Sequence, residues 1–60
     1  MAEFNEAKME KFAKVDRLIG KMVKDLGKRN PKLTRRDVLE LVYNSEVEND
    51  SGMLQEYKRL

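Results

Sequence analysis

"FAKVDRLIGKMVKDL", residues 12–26, sets apolar side chains at Phe12, Val15, Ile19, Met22 and Leu26 in alternating steps of three and four, with Leu18 and Val23 beside them. Residues three and four apart share one face of an α-helix, so the spacing predicts an amphipathic helix with an apolar stripe about 140° wide. Such a stripe is wider than a coiled-coil seam and suits packing against other helices. Toward the N-terminus the pattern loosens. Lys8 falls in the middle of the stripe, which makes residues 1–8 a frayed first turn or an extension beyond the core. Phe4 and Met9 are then exposed, or held by some other contact. At the other end Gly27 follows the last periodic residue and can close the helix in a left-handed conformation, while Pro31 drives Asn30 out of helical space. The expectation is one long helix near residues 5–28, followed by a loop over residues 27–33.

The next stretch, "NPKLTRRDVLELV" (residues 30–42), carries the start of a second helix. Thr34 is placed to cap it by accepting from the Asp37 amide, and the Asp37 carboxylate can reach back in the manner of a capping box. Aspartate is shorter than the usual Glu or Gln at that position, which leaves the box incomplete if the carboxylate falls short. Leu33 and Val38 have the spacing of a hydrophobic staple. Val38, Leu39, Leu41 and Val42 form the apolar face, with Tyr43 at its edge, and the helix spans residues 35–46. "ENDSG" (residues 48–52) is polar and turn-forming. Beyond it Met53, Leu54, Tyr57 and Leu60 recur at helical spacing, giving a third helix near residues 51–60. The predicted fold is all-α: one small three-helix domain over residues 1–60, or a helical hairpin with a short third helix completed by a second copy.

Composition removes several classes of function. The 60 residues contain no cysteine and no histidine. Disulfide frameworks, the usual zinc and haem ligand sets, and Ser-His or Cys-His nucleophile pairs therefore have no donors. The acids in "NSEVENDSGMLQ" do not fall in the register of an EF-hand loop. A core this thin has little room to enclose a substrate pocket of several hundred Å3, so the chain reads as non-enzymatic and without a cofactor. The apolar runs are far shorter than the roughly 20 residues of a membrane span, and glutamates occupy the start where a secretory signal carries a basic region. A cationic helix on a membrane surface is disfavoured because its apolar face is needed for packing. These features predict a soluble, cytoplasmic chain.

The informative signal is the placement of charge. Residues 8–36 hold eleven Lys or Arg against three acids, a balance of +8, whereas residues 37–57 hold six acids and no base, a balance of −6. On a continuous first helix Lys14, Arg17, Lys21, Lys24 and Lys28 occupy an arc of about 80° opposite the apolar stripe. Lys32, Arg35 and Arg36 continue this ridge around the loop to the positive N-terminus of the second helix, where backbone amides suit phosphate. Arginine at that helix end is mildly unfavourable, which points to a purpose other than helix formation. These eight residues are the candidate site for a polyanion, most readily DNA or RNA, bound by a small regulatory or accessory protein.

Other uses of the same charge are open. Lysine is a good helix former that keeps an outer face soluble, and pairs such as Glu10 with Lys14, or Asp25 with Lys21 or Arg29, would absorb part of it. The ridge also suits an acidic protein surface, which makes the chain an adaptor or inhibitor. A homodimer that sets the basic half of one copy on the acidic half of another would double the thin core. A helix-turn-helix reader fits less well, because the connection from Asn44 to Ser51 is long and Gln55, Lys58 and Arg59 are ordinary surface residues. Stacking on bases would need exposed aromatics, yet Phe12 belongs to the core face and Tyr43 and Tyr57 sit at helix edges.

Overall fold

A computed structural model describes residues 4–60, so the reading of residues 1–8 is tested only from Phe4 onward. The described residues form a small all-α domain of four helices without strands: α1 (Glu6–Val15), α2 (Arg17–Arg29), α3 (Arg35–Val42) and α4 (Ser51–Lys58). α3 continues directly into a π-helical turn, Tyr43–Val47.

The long first helix expected over residues 5–28 is two helices. Asp16 breaks it, adopting an extended backbone with φ −109° and ψ 115°. Its amide still donates to the Phe12 carbonyl (2.9 Å) and closes α1, while its carbonyl accepts from the Gly20 amide (2.9 Å) and opens α2. The Asp16 carboxylate accepts from the Ile19 amide at 3.1 Å, satisfying a donor at the start of α2 that has no partner within the helix. One residue thus caps two helices.

This corner resets which side chains face inward. On α1 the buried pair is Met9 and Phe12, and on α2 it is Ile19 and Val23. Met9, expected outside the core, is fully buried, and Phe4 is half-buried against the core. Lys8 no longer interrupts a stripe; its ammonium lies 5.5 Å from the centre of the Tyr57 ring. Val15 and Leu18, assigned to the apolar stripe on a continuous helix, flank the corner and are 67% and 52% exposed.

Gly20 sets the approach of α1 and α2. A Cβ at this position would lie 2.5 Å from the Ala13 carbonyl oxygen, so only glycine fits without moving the backbone. Gly20→Ala is expected to destabilise the domain: alanine's helix propensity is better by about 1 kcal/mol, but relieving the clash costs about 1–3 kcal/mol and separates α1 from α2. Thermal melts of the two proteins check the sign. Gly27 has no such neighbour, and the helix ends within a turn of it rather than on it. α2 runs two residues further, to Arg29, and no described residue has a positive φ. Asn30 closes α2 instead, with its backbone amide and its side-chain amide both donating to the Leu26 carbonyl at 3.0 Å.

The capping box at α3 is complete. The Asp37 amide donates to Thr34 Oγ1 (3.1 Å) and the Thr34 amide donates to the Asp37 carboxylate (3.3 Å). Val38 is buried and Leu33 packs against the core. Leu41, placed on the apolar face by periodicity, is instead 47% exposed. The π turn is held from outside: Ser45 Oγ donates to the Leu41 carbonyl at 2.8 Å, and Asn49 Nδ2 donates to the carbonyls of Asn44 and Ser45 at 3.2 Å. Asp50 then caps α4, accepting from the Gly52 and Met53 amides.

Tyr43 and Tyr57, expected at helix edges, lie in the core with 1% exposure each. Their rings are 5.1 Å apart, Phe12 meets Tyr57 edge-on at 6.2 Å, and Phe4 meets Tyr43 at 5.8 Å. The four aromatics tie both ends of the chain to its middle. The Tyr57 hydroxyl also accepts from the amide of Asn5, the N-cap of α1, at 2.8 Å.

Burial pushes the Tyr57 pKa above its ordinary value, against the Asn5 amide, which favours the phenolate. A phenol that holds its proton more tightly when folded contributes its full stability below the unfolded pKa of about 10 and loses it as pH rises through the folded value. Melting temperature is therefore expected to fall once pH exceeds about 10. Tyr57→Phe should melt lower near pH 8, where the buried bond is worth about 1 kcal/mol, and decline less steeply above pH 10. Melts across this range decide it.

Candidate functional site

All eight basic residues singled out from the sequence are exposed, but they do not form one ridge. Lys14 stands in the last turn of α1, before the Asp16 corner. Arg17, Lys21, Lys24 and Lys28 lie on α2, at spacings of four, three and four. On an α-helix they share an arc of about 60° and a length of about 16 Å. This arc is opposite Ile19 and Val23, which α2 buries in the core. Among the described residues none of the four forms an ion pair.

Lys32 is in the loop that follows α2, and Arg35 and Arg36 open α3. The two arginines have partners within the molecule. Arg35 makes a two-pronged ion pair with Glu10 of α1, Nη2 to Oε1 at 2.8 Å and Nε to Oε2 at 3.0 Å. The guanidinium holds the Glu10 carboxyl below its ordinary pKa, through the hydrogen bond first and the nearby charge second. Arg36 lies over the Phe4 ring, 6.0 Å from its centre. The misfit of arginines at a positive helix end is thus relieved internally. The capping box also engages the Thr34 and Asp37 amides at this corner.

The pairs expected within helices, Glu10 with Lys14 and Asp25 with Lys21 or Arg29, do not form ion pairs. Glu10 crosses to Arg35 instead, a partner 25 residues away that no local spacing announces. The acidic half turns its charge outward: Asp37, Glu40, Glu48, Asp50 and Glu56 are exposed and Glu46 is half-buried.

Between α2 and α3 with its π turn lies an open groove of about 340 Å3, lined by Met22, Leu26 and Val42 and edged by Asp25, Arg29, Ser45 and Glu46. A second hollow, of about 270 Å3, borders α1 near Lys8, Lys11 and Lys14. Among the described residues no three carboxylates gather as a metal site. No helix among them is long and apolar enough to cross a membrane. The link from the π turn to α4 is three residues, shorter than periodicity implied, because the helix continues to Val47. That length suits a helix-turn-helix, but Glu48 and Asp50 precede the start of α4 and Glu56 lies in its last turn, and these acids would repel phosphate.

No protein-family model matches the chain, and no curated protein or solved structure shows significant similarity to it. The side chains alone carry the functional argument.

Proposed function

We propose that the protein is a small non-enzymatic accessory or regulatory factor that binds a polyanion, DNA or RNA, along the outer face of α2. The observation that carries this reading is the row of four cations, Arg17, Lys21, Lys24 and Lys28, on one side of α2, with no acid among the described residues paired to them. Charges at this density meet successive phosphates and release counterions from the duplex. Lys14 and Lys32 extend the row at either end. Arg35 and Arg36 are secondary, since each has an intramolecular partner. The aromatic side chains are committed to the core, so contacts go to phosphates and sequence preference is weak.

Titration of the protein into labelled duplex DNA of random sequence, and into single-stranded RNA, tests the reading by fluorescence anisotropy. Saturable binding at low salt with similar affinity for unrelated sequences is expected. Absence of binding to either probe at low salt would remove it, and the α2 face would then be a candidate for an acidic protein surface.

A further inference from the structure

Two leucines outside the core have no role in the fold or in the proposed polyanion face. Leu18 and Leu41 are each about half exposed, on α2 and α3 respectively. Neither lines the α2–α3 groove itself, but Leu18 is one helical turn before Met22 and Leu41 one turn before Ser45, which places them beside its two walls. The groove and these leucines form an apolar strip between two opposite charges. Beyond Leu18 the surface of α2 turns basic through Lys21 and Lys28, with Asp25 the one acid beside them at the groove edge, and beyond Leu41 the surface of α3 turns acidic through Asp37 and Glu40.

We propose that two copies of the chain pair through this face. A surface that is basic on one side of an apolar strip and acidic on the other is complementary to itself under a two-fold axis running along the strip. That axis lays α2 of each copy on α3 of the other, bringing Lys21 and Lys28 against Glu40 and Glu48 and covering Leu18 and Leu41. Arg29 and Glu46, on opposite walls of the groove, face each other across the axis. An axis across the helices would set α2 on α2, cation against cation, so the charges select one arrangement. A stable interface takes about 800 Å2 from each partner. That is about 18% of the molecule's 4459 Å2 of surface, and a contact that falls short of it gives a weak, concentration-dependent dimer. The dimer takes up Lys21 and Lys28, two of the four cations given to phosphate, so a polyanion and a second copy compete for this face; sedimentation without nucleic acid tests the dimer separately from the polyanion reading.

Sedimentation of the purified chain from micromolar to millimolar concentration tests the proposal. Reversible dimerisation that weakens with salt is expected, and Leu18→Asp with Leu41→Asp should weaken it at least tenfold while the melting temperature holds, because neither leucine is in the core. Exchange of charge supplies the sharper arm. Lys21→Glu with Lys28→Glu, and separately Glu40→Lys with Glu48→Lys, should each give monomers whose equimolar mixture regains a heterodimer. A chain that stays monomeric up to about 1 mM at low salt, a dimer indifferent to the leucine changes, or charge variants that fail to pair when mixed would each overturn it.

Discussion

Truncation of Phe12 to alanine is expected to abolish cooperative folding near physiological temperature. Phe12 is 1% exposed and its ring meets Tyr57, which in turn meets Tyr43. Removing a buried phenylalanine costs about 3–5 kcal/mol. A core of this size rarely supplies more than about 3–5 kcal/mol, and a sequence without cysteine adds no disulfide to it. One truncation therefore exhausts the stability of the domain. Loss of helical circular dichroism and of a sigmoidal melt is the predicted result. Leu18→Ala is the contrast, since the same loss of apolar atoms from a half-exposed site should leave the melt nearly unchanged. A Phe12→Ala protein that melts cooperatively within a few degrees of the parent would mean that the aromatic cluster does not hold the helices together.

The second large effect concerns binding. Lys21→Glu together with Lys24→Glu changes the charge of the α2 face by four in the middle of its cationic row. Two phosphate contacts become repulsions, so affinity for duplex DNA should fall by at least about 100-fold at low salt. Both positions are exposed and form no ion pair among the described residues, and the fold should survive the change. Glu46→Lys with Glu48→Lys should act in the opposite direction by removing acids that repel phosphate. Equal affinity of all three proteins would take the phosphates away from α2.

Much of the fold was legible because helix signals are local. Thr34 and Asp37 announced the start of α3 and do form its capping box. Ile19 and Val23 were read as helix-face residues and are core residues. The corner at Asp16 was not legible from periodicity, because Phe12 to Ile19 keeps a helical step on either side of it. Its signals were chemical: an aspartate able to cap Ile19, and a glycine at position 20 where two backbones cross. The remaining departures are long-range. The Asn5 amide on Tyr57 and the Glu10 carboxylate on Arg35 join residues 52 and 25 apart, and only the packed chain brings them together. The candidate site changed with them: the Asp16 corner put Lys14 on another helix, Arg35 gained Glu10 as a partner, and the cations of α2 were left as a row of their own.

The most direct test of the α2 face is the dependence of duplex-DNA affinity on salt. Each phosphate neutralised contributes a slope of about −0.9 in a plot of log K against log salt. Four contacts from Arg17, Lys21, Lys24 and Lys28 predict a slope of about −3 to −4, falling in magnitude by about one unit when Lys21 is changed to Ala. A slope near zero, or a slope that Lys21→Ala leaves unchanged, would contradict the assignment of these cations to phosphate.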